Sequence, residues 1–187
     1  MFTVNKKLVV CLLASAGFYS THIQAENVLS CDNENTAITA TTTHLTDNNN
    51  GTITDPETGL IWKKCSEGQT WSGAGNNCSS GAAADFTWQA ALQRAQEVND
   101  GIVGENFSET DWRLPNIKEL ASIAELRCSD PAINNTVFPE TLSAWFWSSS
   151  PYAPNAFFAR GVSFSNVFDG ARVKSNINRV RLVRSGQ

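Results

Sequence analysis

Histidine is nearly missing from this chain of 187 residues: His22 and His44 are the only two. That leaves little to build a Ser-His-Asp nucleophile or a histidine metal site. Lysine and arginine are absent from residues 26–60, where Glu26, Asp32, Glu34, Asp47, Asp55 and Glu57 all lie. No apolar run approaches the roughly 20 residues that a membrane-spanning helix needs. The cysteines are too dispersed for a zinc motif, and no phosphate-cradling glycine loop or nucleic-acid motif occurs. The reading is therefore of a protein without metal or cofactor, with no catalytic residues assigned and no nucleic-acid partner.

The chain opens with Lys6 and Lys7, then a short apolar stretch from Leu8 to Phe18 and an imperfect small-residue site at Ile23-Gln24-Ala25. This pattern predicts a signal peptide over 1–25. Cys11 lies inside the apolar stretch with no lipid-anchor context. The mature chain then begins near Glu26 and keeps 162 of the 187 residues, enough for one domain. Losing two lysines moves the net charge from −4 to −6. Export would leave the protein periplasmic, on the outer surface or secreted.

Four cysteines remain, Cys31, Cys65, Cys78 and Cys128. An even count in an exported chain predicts two disulfides, with three pairings open. The Gly/Ser/Asn-rich segment between Cys65 and Cys78 reads as a stapled loop, which leaves Cys31 with Cys128.

Residues 26–50 read as a polar N-terminal extension with a strand near Ala37–Thr43, and 51–187 as the folded domain. "GTITDPETGLIWKK" predicts a hairpin, its turn set by Pro56 and Gly59. Residues 66–85 read as loop. Thr87 is an N-cap for a helix whose apolar face is Trp88, Ala91, Leu92, Ala95 and Val98, ended by Asn99-Asp100-Gly101. Asn116 and Glu119 form a capping box for a second helix that runs to about Arg127-Cys128, with Pro115 keeping Leu114 extended. Later residues read as strands, with turn signals at Gly161 and Asp169-Gly170. Helices early and strands late predict an α+β fold.

Taken in order, "GTITDPETGLIWKK", "TWQAALQRAQEVN", "DWRLPNIKEL", "FWSSS" and "RVRLVR" resemble the C-terminal domain of the Legionella collagen-like protein over residues 51–184. The matching positions are Thr58, Gly59, Leu60 and Trp62; Trp88 and Ala91; Trp112, Arg113, Leu114, Pro115 and Glu119; Trp147, Ser148 and Ser149; and Val180, Arg181, Val183 and Arg184. Leu182 stands where relatives carry cysteine, and the collagen-like repeats are missing. The resemblance implies a variant of the C-type-lectin-like fold, related to that of formylglycine-generating enzymes, with two helices packed on irregular antiparallel sheets with long loops. It also implies a surface-binding role, since the founding member is an adhesin that binds glycosaminoglycans. Fold alone does not transfer function.

Trp71 reads either as a plug over its loop or as an exposed sugar platform. Trp145 and Trp147 share one face of a strand, as core or as sugar-stacking rings. Arg172, Lys174 and Arg181 belong to a basic C-terminal stretch, which either pairs with the acidic 26–60 region or forms a patch for an acidic polysaccharide. These six are the candidate ligand-binding residues. Arg113 reads as a structural fork at a corner, with an anion claw as the alternative. Thr58, Gly59, Trp62, Thr87, Trp88, Trp112, Arg113, Pro115, Asn116 and Glu119 are the structural set. "TDNNNGTITD" alternates oxygen side chains in the manner of a calcium loop, but lacks its spacing and final glutamate, so an Asx-rich turn is the reading. The partner classes are an acidic glycan or a cell-envelope protein.

Overall fold

A computed structural model of the protein describes residues 44–186. The expected signal peptide, most of the expected polar extension with the strand expected near Ala37–Thr43, and Cys31 lie outside the described residues. The architecture is α+β and mostly β, with two helices and three antiparallel sheets.

The first sheet has the order β1-β2-β3-β9, from Thr46–Asp47, Thr52–Asp55, Leu60–Lys63 and Val183–Ser185. The expected hairpin is β2–β3, with Ile53 opposite Trp62. Its turn follows from its residues. Asp55 accepts the Glu57 and Thr58 N–H groups and the Thr58 hydroxyl, and Gly59 closes the turn at φ +69°. The end of the polar extension contributes β1, which pairs along β2.

Residues 66–85 differ from the loop expected of them. They form β4 (Gln69–Ser72) and β5 (Asn77–Gly81), a small bulged hairpin across which Cys65 and Cys78 are disulfide-bonded. Composition hid the second of these strands because its side chains are small and mostly exposed. Cys128 is also disulfide-bonded; its expected partner, Cys31, lies outside the described residues.

Helix α1 spans Trp88–Asn99, with the Thr87 hydroxyl accepting Ala90 N–H. It buries Ala91, Ala95 and Val98, but Leu92, expected in the core, sits at the helix margin and is exposed. Helix α2 is shorter than expected, Ile117–Ser122, with Ile123 as its C-cap. The Ser122 hydroxyl bonds back to Glu119 O, and the chain then leaves to make a bridge between Ala124 and Ile133.

The third sheet, β6-β7-β8, comprises Trp145–Pro151, Phe158–Ser163 and Phe168–Val173. Gly161 and Gly170 are not turn residues: they are paired inside β7 and β8, while the connecting turn lies at 164–167. One face of this sheet gives Phe146 and Val162 to a core shared with Trp62, Leu120, Ile133 and Phe138. The other gives Trp147 and Ala159 to a second core with α1, Trp112, Leu114, Val180 and Leu182.

Between the sheets lies Arg181, wholly buried. Its guanidinium donates to the carbonyl oxygens of Lys63 and Lys64 and to the hydroxyls of Thr141 (2.7 Å) and Ser66 (3.3 Å), and stacks 4.7 Å from the Phe138 ring. Burial pushes it down to about 9, so it remains charged at neutral pH. Arg181→Met would orphan two buried carbonyls and is expected to cost about 3–5 kcal/mol. Arg181→Lys should recover little of this, because an ammonium cannot span the same fork of acceptors. Urea melts of the three proteins check both expectations.

Candidate functional site

The motif "DWRLPN" occupies a structural corner. Arg113 exchanges both backbone hydrogen bonds with Val183 at 2.9 Å, so Trp112–Leu114 runs extended beside β9. The Arg113 guanidinium forks onto both oxygens of Glu119, each at 2.8 Å, while Glu119 also accepts the Asn116 N–H at 2.7 Å. The Glu119 hydrogen bond raises the Arg113 pKa, and the Arg113 hydrogen bond holds the Glu119 carboxyl below its usual value. Pro115 O accepts Ser149 N–H, and Ser150 Oγ accepts the Ile117 N–H at 3.0 Å, docking the "FWSSS" strand onto the start of α2.

The tryptophans interlock these motifs. Trp112 Nε1 donates to Asn106 O, Trp147 Nε1 to Phe86 O, and Trp88 Nε1 to Ser148 O. Asn99, the last residue of α1, pairs with the Trp112 backbone through both its amide groups.

Two of the six expected ligand residues therefore leave the surface. Trp147 and Arg181 are fully buried, Trp147 in the core behind β6 and Arg181 between the sheets, where neither can touch a glycan. Trp71 is half-buried and folded back, its ring near Gly51 and Gly73 and its indole N–H directed at Asn76 Oδ1.

The other three come together. Trp145, Phe168 and Arg172 lie on one side of the third sheet. Trp145 rests over the cross-strand pair Gly161–Gly170: a Cβ at either position would stand 3.5 or 3.4 Å from its ring, in direct van der Waals contact, so the indole packs onto the two glycines. Phe168 meets Trp145 edge-on at 6.0 Å, and the Arg172 guanidinium stacks 4.6 Å from its centroid. Lys174 follows two residues later, about 7 Å along an extended chain, and its Nζ sits 4.2 Å from the Trp88 centroid. A groove of about 540 Å³ opens there, lined by Thr87, Trp88, Gln89, Leu92, Lys174 and Ser175.

Charge sets this band apart. Arg179 pairs with Asp85, Arg184 with Asp111 and Glu109, and Arg160 with Asp169. These carboxylates come from the middle of the chain and from β8, not from the acidic stretch 26–60 as a simple end-to-end pairing requires. Arg172 and Lys174 ion-pair with no carboxylate among the described residues. Sequence reading missed Trp88 as a groove wall and Phe168 as the edge of the platform. The signal was the alternation Phe168, Gly170, Arg172, Lys174, obscured by reading Asp169-Gly170 as a turn.

The Lcl C-terminal domain family matches residues 51–184, most of the chain and all the elements just described except β1 and the end of β9. The chain belongs to this family. A search of curated proteins finds no match. The five motifs of this Lcl C-terminal domain meet largely in the two cores and the corner, and the cation–tryptophan band flanks them.

Among the described residues no group of acids, cysteines and histidines converges to hold a metal ion. Asp47 and Asp55, alternating as in a calcium loop, serve different partners: Lys64 and the hairpin turn. No helix among the described residues is long and apolar enough to cross a membrane.

Because Glu119 has a depressed folded pKa, its corner stabilises the fold above the unfolded value near 4.3 and loses that contribution as pH falls through the folded pKa. Glu119→Gln should cost about 1–2 kcal/mol at pH 7, and the gap to wild type should close below about pH 4. Thermal melts across pH 2–7 check this; a gap that persists in acid would sink the ionic account.

Proposed function

We propose that this Lcl C-terminal domain is an exported, non-enzymatic binding module that recognises an acidic glycan at the cell envelope or surface in adhesion. The observation that carries the reading is the pair Arg172 over Trp145 and Lys174 over Trp88, neighbouring cations on aromatic rings with no carboxylate partner among the described residues. Aromatic faces suit the apolar faces of sugar rings, and the cations suit carboxylate or sulfate substituents. Gln89, Ser175 and the groove beside Trp88 supply hydroxyl-directed hydrogen bonding. A variant of the C-type-lectin-like fold, with its ligands held by loops and sheet margins, is part of the same reading. Export is supported by the disulfide-bonded cysteines.

A protein-docking domain of an envelope assembly is the second reading. It is favoured by the exposure of Phe157 (77%), Ile177 (62%) and Phe168 (60%), close in sequence to the same band.

Binding of the oxidised protein to an array of acidic and neutral glycans, titrated with salt, separates the two. The first reading expects retention of acidic glycans that weakens steeply with salt. The double variant Arg172→Gln, Lys174→Gln should lose at least about tenfold in affinity, since two charge-assisted contacts of about 1 kcal/mol or more each disappear. Equal binding by that variant would discard the site. A blank array with capture of one envelope protein through Phe157 would establish the second reading.

A further inference from the structure

Away from the cation–tryptophan band, one side-chain cluster is arranged for covalent chemistry. Lys64 is wholly buried immediately before Cys65, and its Nζ lies 2.6 Å from Asn76 Oδ1. Asp47 Oδ2 bridges the two, 2.5 Å from Lys64 Nζ and 2.9 Å from Asn76 Nδ2. Trp71 Nε1 donates to the same Asn76 oxygen at 3.2 Å. Two donors on Oδ1 and one acceptor at Nδ2 fix the amide orientation. We propose that Lys64 and Asn76 join in an intramolecular isopeptide bond, with Asp47 as the proton shuttle and Trp71 as a donor to the developing oxyanion.

The chemistry balances without a co-reactant. Asp47 takes a proton from the Lys64 ammonium, freeing the amine as a nucleophile. Nζ attacks Asn76 Cγ, and negative charge moves onto Oδ1, where the Trp71 N–H meets it. Asp47 passes its proton to Nδ2 and takes one from Nζ. The Cγ–Nδ2 bond breaks, the carbonyl re-forms and ammonia departs, finally carrying the shuttled proton as ammonium. A nitrogen already hydrogen-bonded to the amide oxygen needs only a small displacement to reach the adjacent carbon.

Two features of the surroundings favour the step. The disulfide holds Cys65, next to Lys64, and Cys78, two residues after Asn76, and Asn76 is set in the left-handed conformation at φ +47° that asparagine tolerates. Lys64 is wholly buried, and the product replaces its buried ammonium with a neutral amide. Although burial pushes the Asp47 pKa up, the hydrogen bonds from Asn76 and Lys64 outweigh it, so the carboxylate is in the form that accepts a proton.

The test is peptide mapping of the full chain, exported and oxidised, then reduced and alkylated. Trypsin cannot cleave after an acylated lysine, so a linked protein gives a peptide from Lys64 to Arg94, lighter than its sequence by the about 17 Da of ammonia. Chymotryptic cleavage after Trp71 should leave its two halves joined. Asn76→Ala and Asp47→Ala avoid the buried lysine; both should give the peptide Cys65–Arg94 at full mass while keeping the near-ultraviolet circular dichroism of the fold. Wild-type protein that yields Cys65–Arg94 at full mass would overturn the proposal. A link that persists in Asp47→Ala would overturn the assigned shuttle.

Discussion

The interaction on which the structure rests is the burial of Arg181. A single guanidinium gathers the end of β3 with Ser66 just beyond it and Thr141 in the loop before β6, joining stretches that are far apart in sequence. Among the described residues no carboxylate pairs with it; backbone carbonyls and hydroxyls accept its hydrogen bonds. That choice has consequences for its neighbours. The carbonyls of Lys63 and Lys64 point toward Arg181, and their side chains must also be accommodated in the interior. Lys63 reaches Glu67 at 2.5 Å, and Glu67 in turn holds Arg94 of α1 at 2.8 Å. Lys64 reaches Asp47 on β1. One buried cation thus sits beside two more, and each recruits an element: α1 through Glu67, β1 through Asp47.

This economy explains why so basic a C-terminal stretch leaves so little free charge. Arginines 179, 181 and 184 are spent on the fold, on carbonyls and on Asp85, Glu109 and Asp111. Placement along β8 and beyond, not composition, distinguishes Arg172 and Lys174: their strand positions direct them toward tryptophan rings instead of carboxylates. A salt-dependent surface can therefore exist on a protein whose overall charge is negative.

Local chemistry made some elements legible in the sequence. The Asp55–Gly59 turn, the Thr87 cap and the Asn116–Glu119 box all draw on side chains within a few residues of the backbone they satisfy, so their meaning survives without the fold. Arg113 was legible for the same reason, its partner Glu119 being six residues away. Which of the expected ligand residues stay at the surface was not legible, because burial is a property of the assembled sheets. Trp145 and Trp147 share a strand face and differ completely: Trp147 lies under α1, whereas Trp145 lies beyond its reach over two glycines. Nothing in "AWFWSSS" distinguishes them. Gly161 and Gly170 misled for a related reason. Each is a turn residue by propensity, yet here the missing side chains make room for an indole supplied by a third strand.

The same logic orders the two halves of the molecule. Around Arg181 and Lys64, polar groups face inward and the Arg181 Nη groups and the Lys64 ammonium are committed to partners on several elements, so changes there propagate through several elements at once. Around Trp88 and Trp145 the cations lie over rings and the polar groups face the groove, so substitutions there alter the surface while leaving the shared acceptors of the interior in place. The surface around Trp88 and Trp145 can vary on such a scaffold because the interior charges pair among themselves. That separation requires the glycine pair: a side chain at Gly161 would meet the Phe146 carbonyl oxygen at 2.5 Å and disturb the strand joining the two cores. The platform's floor is therefore the one part of the face that cannot vary independently of the fold.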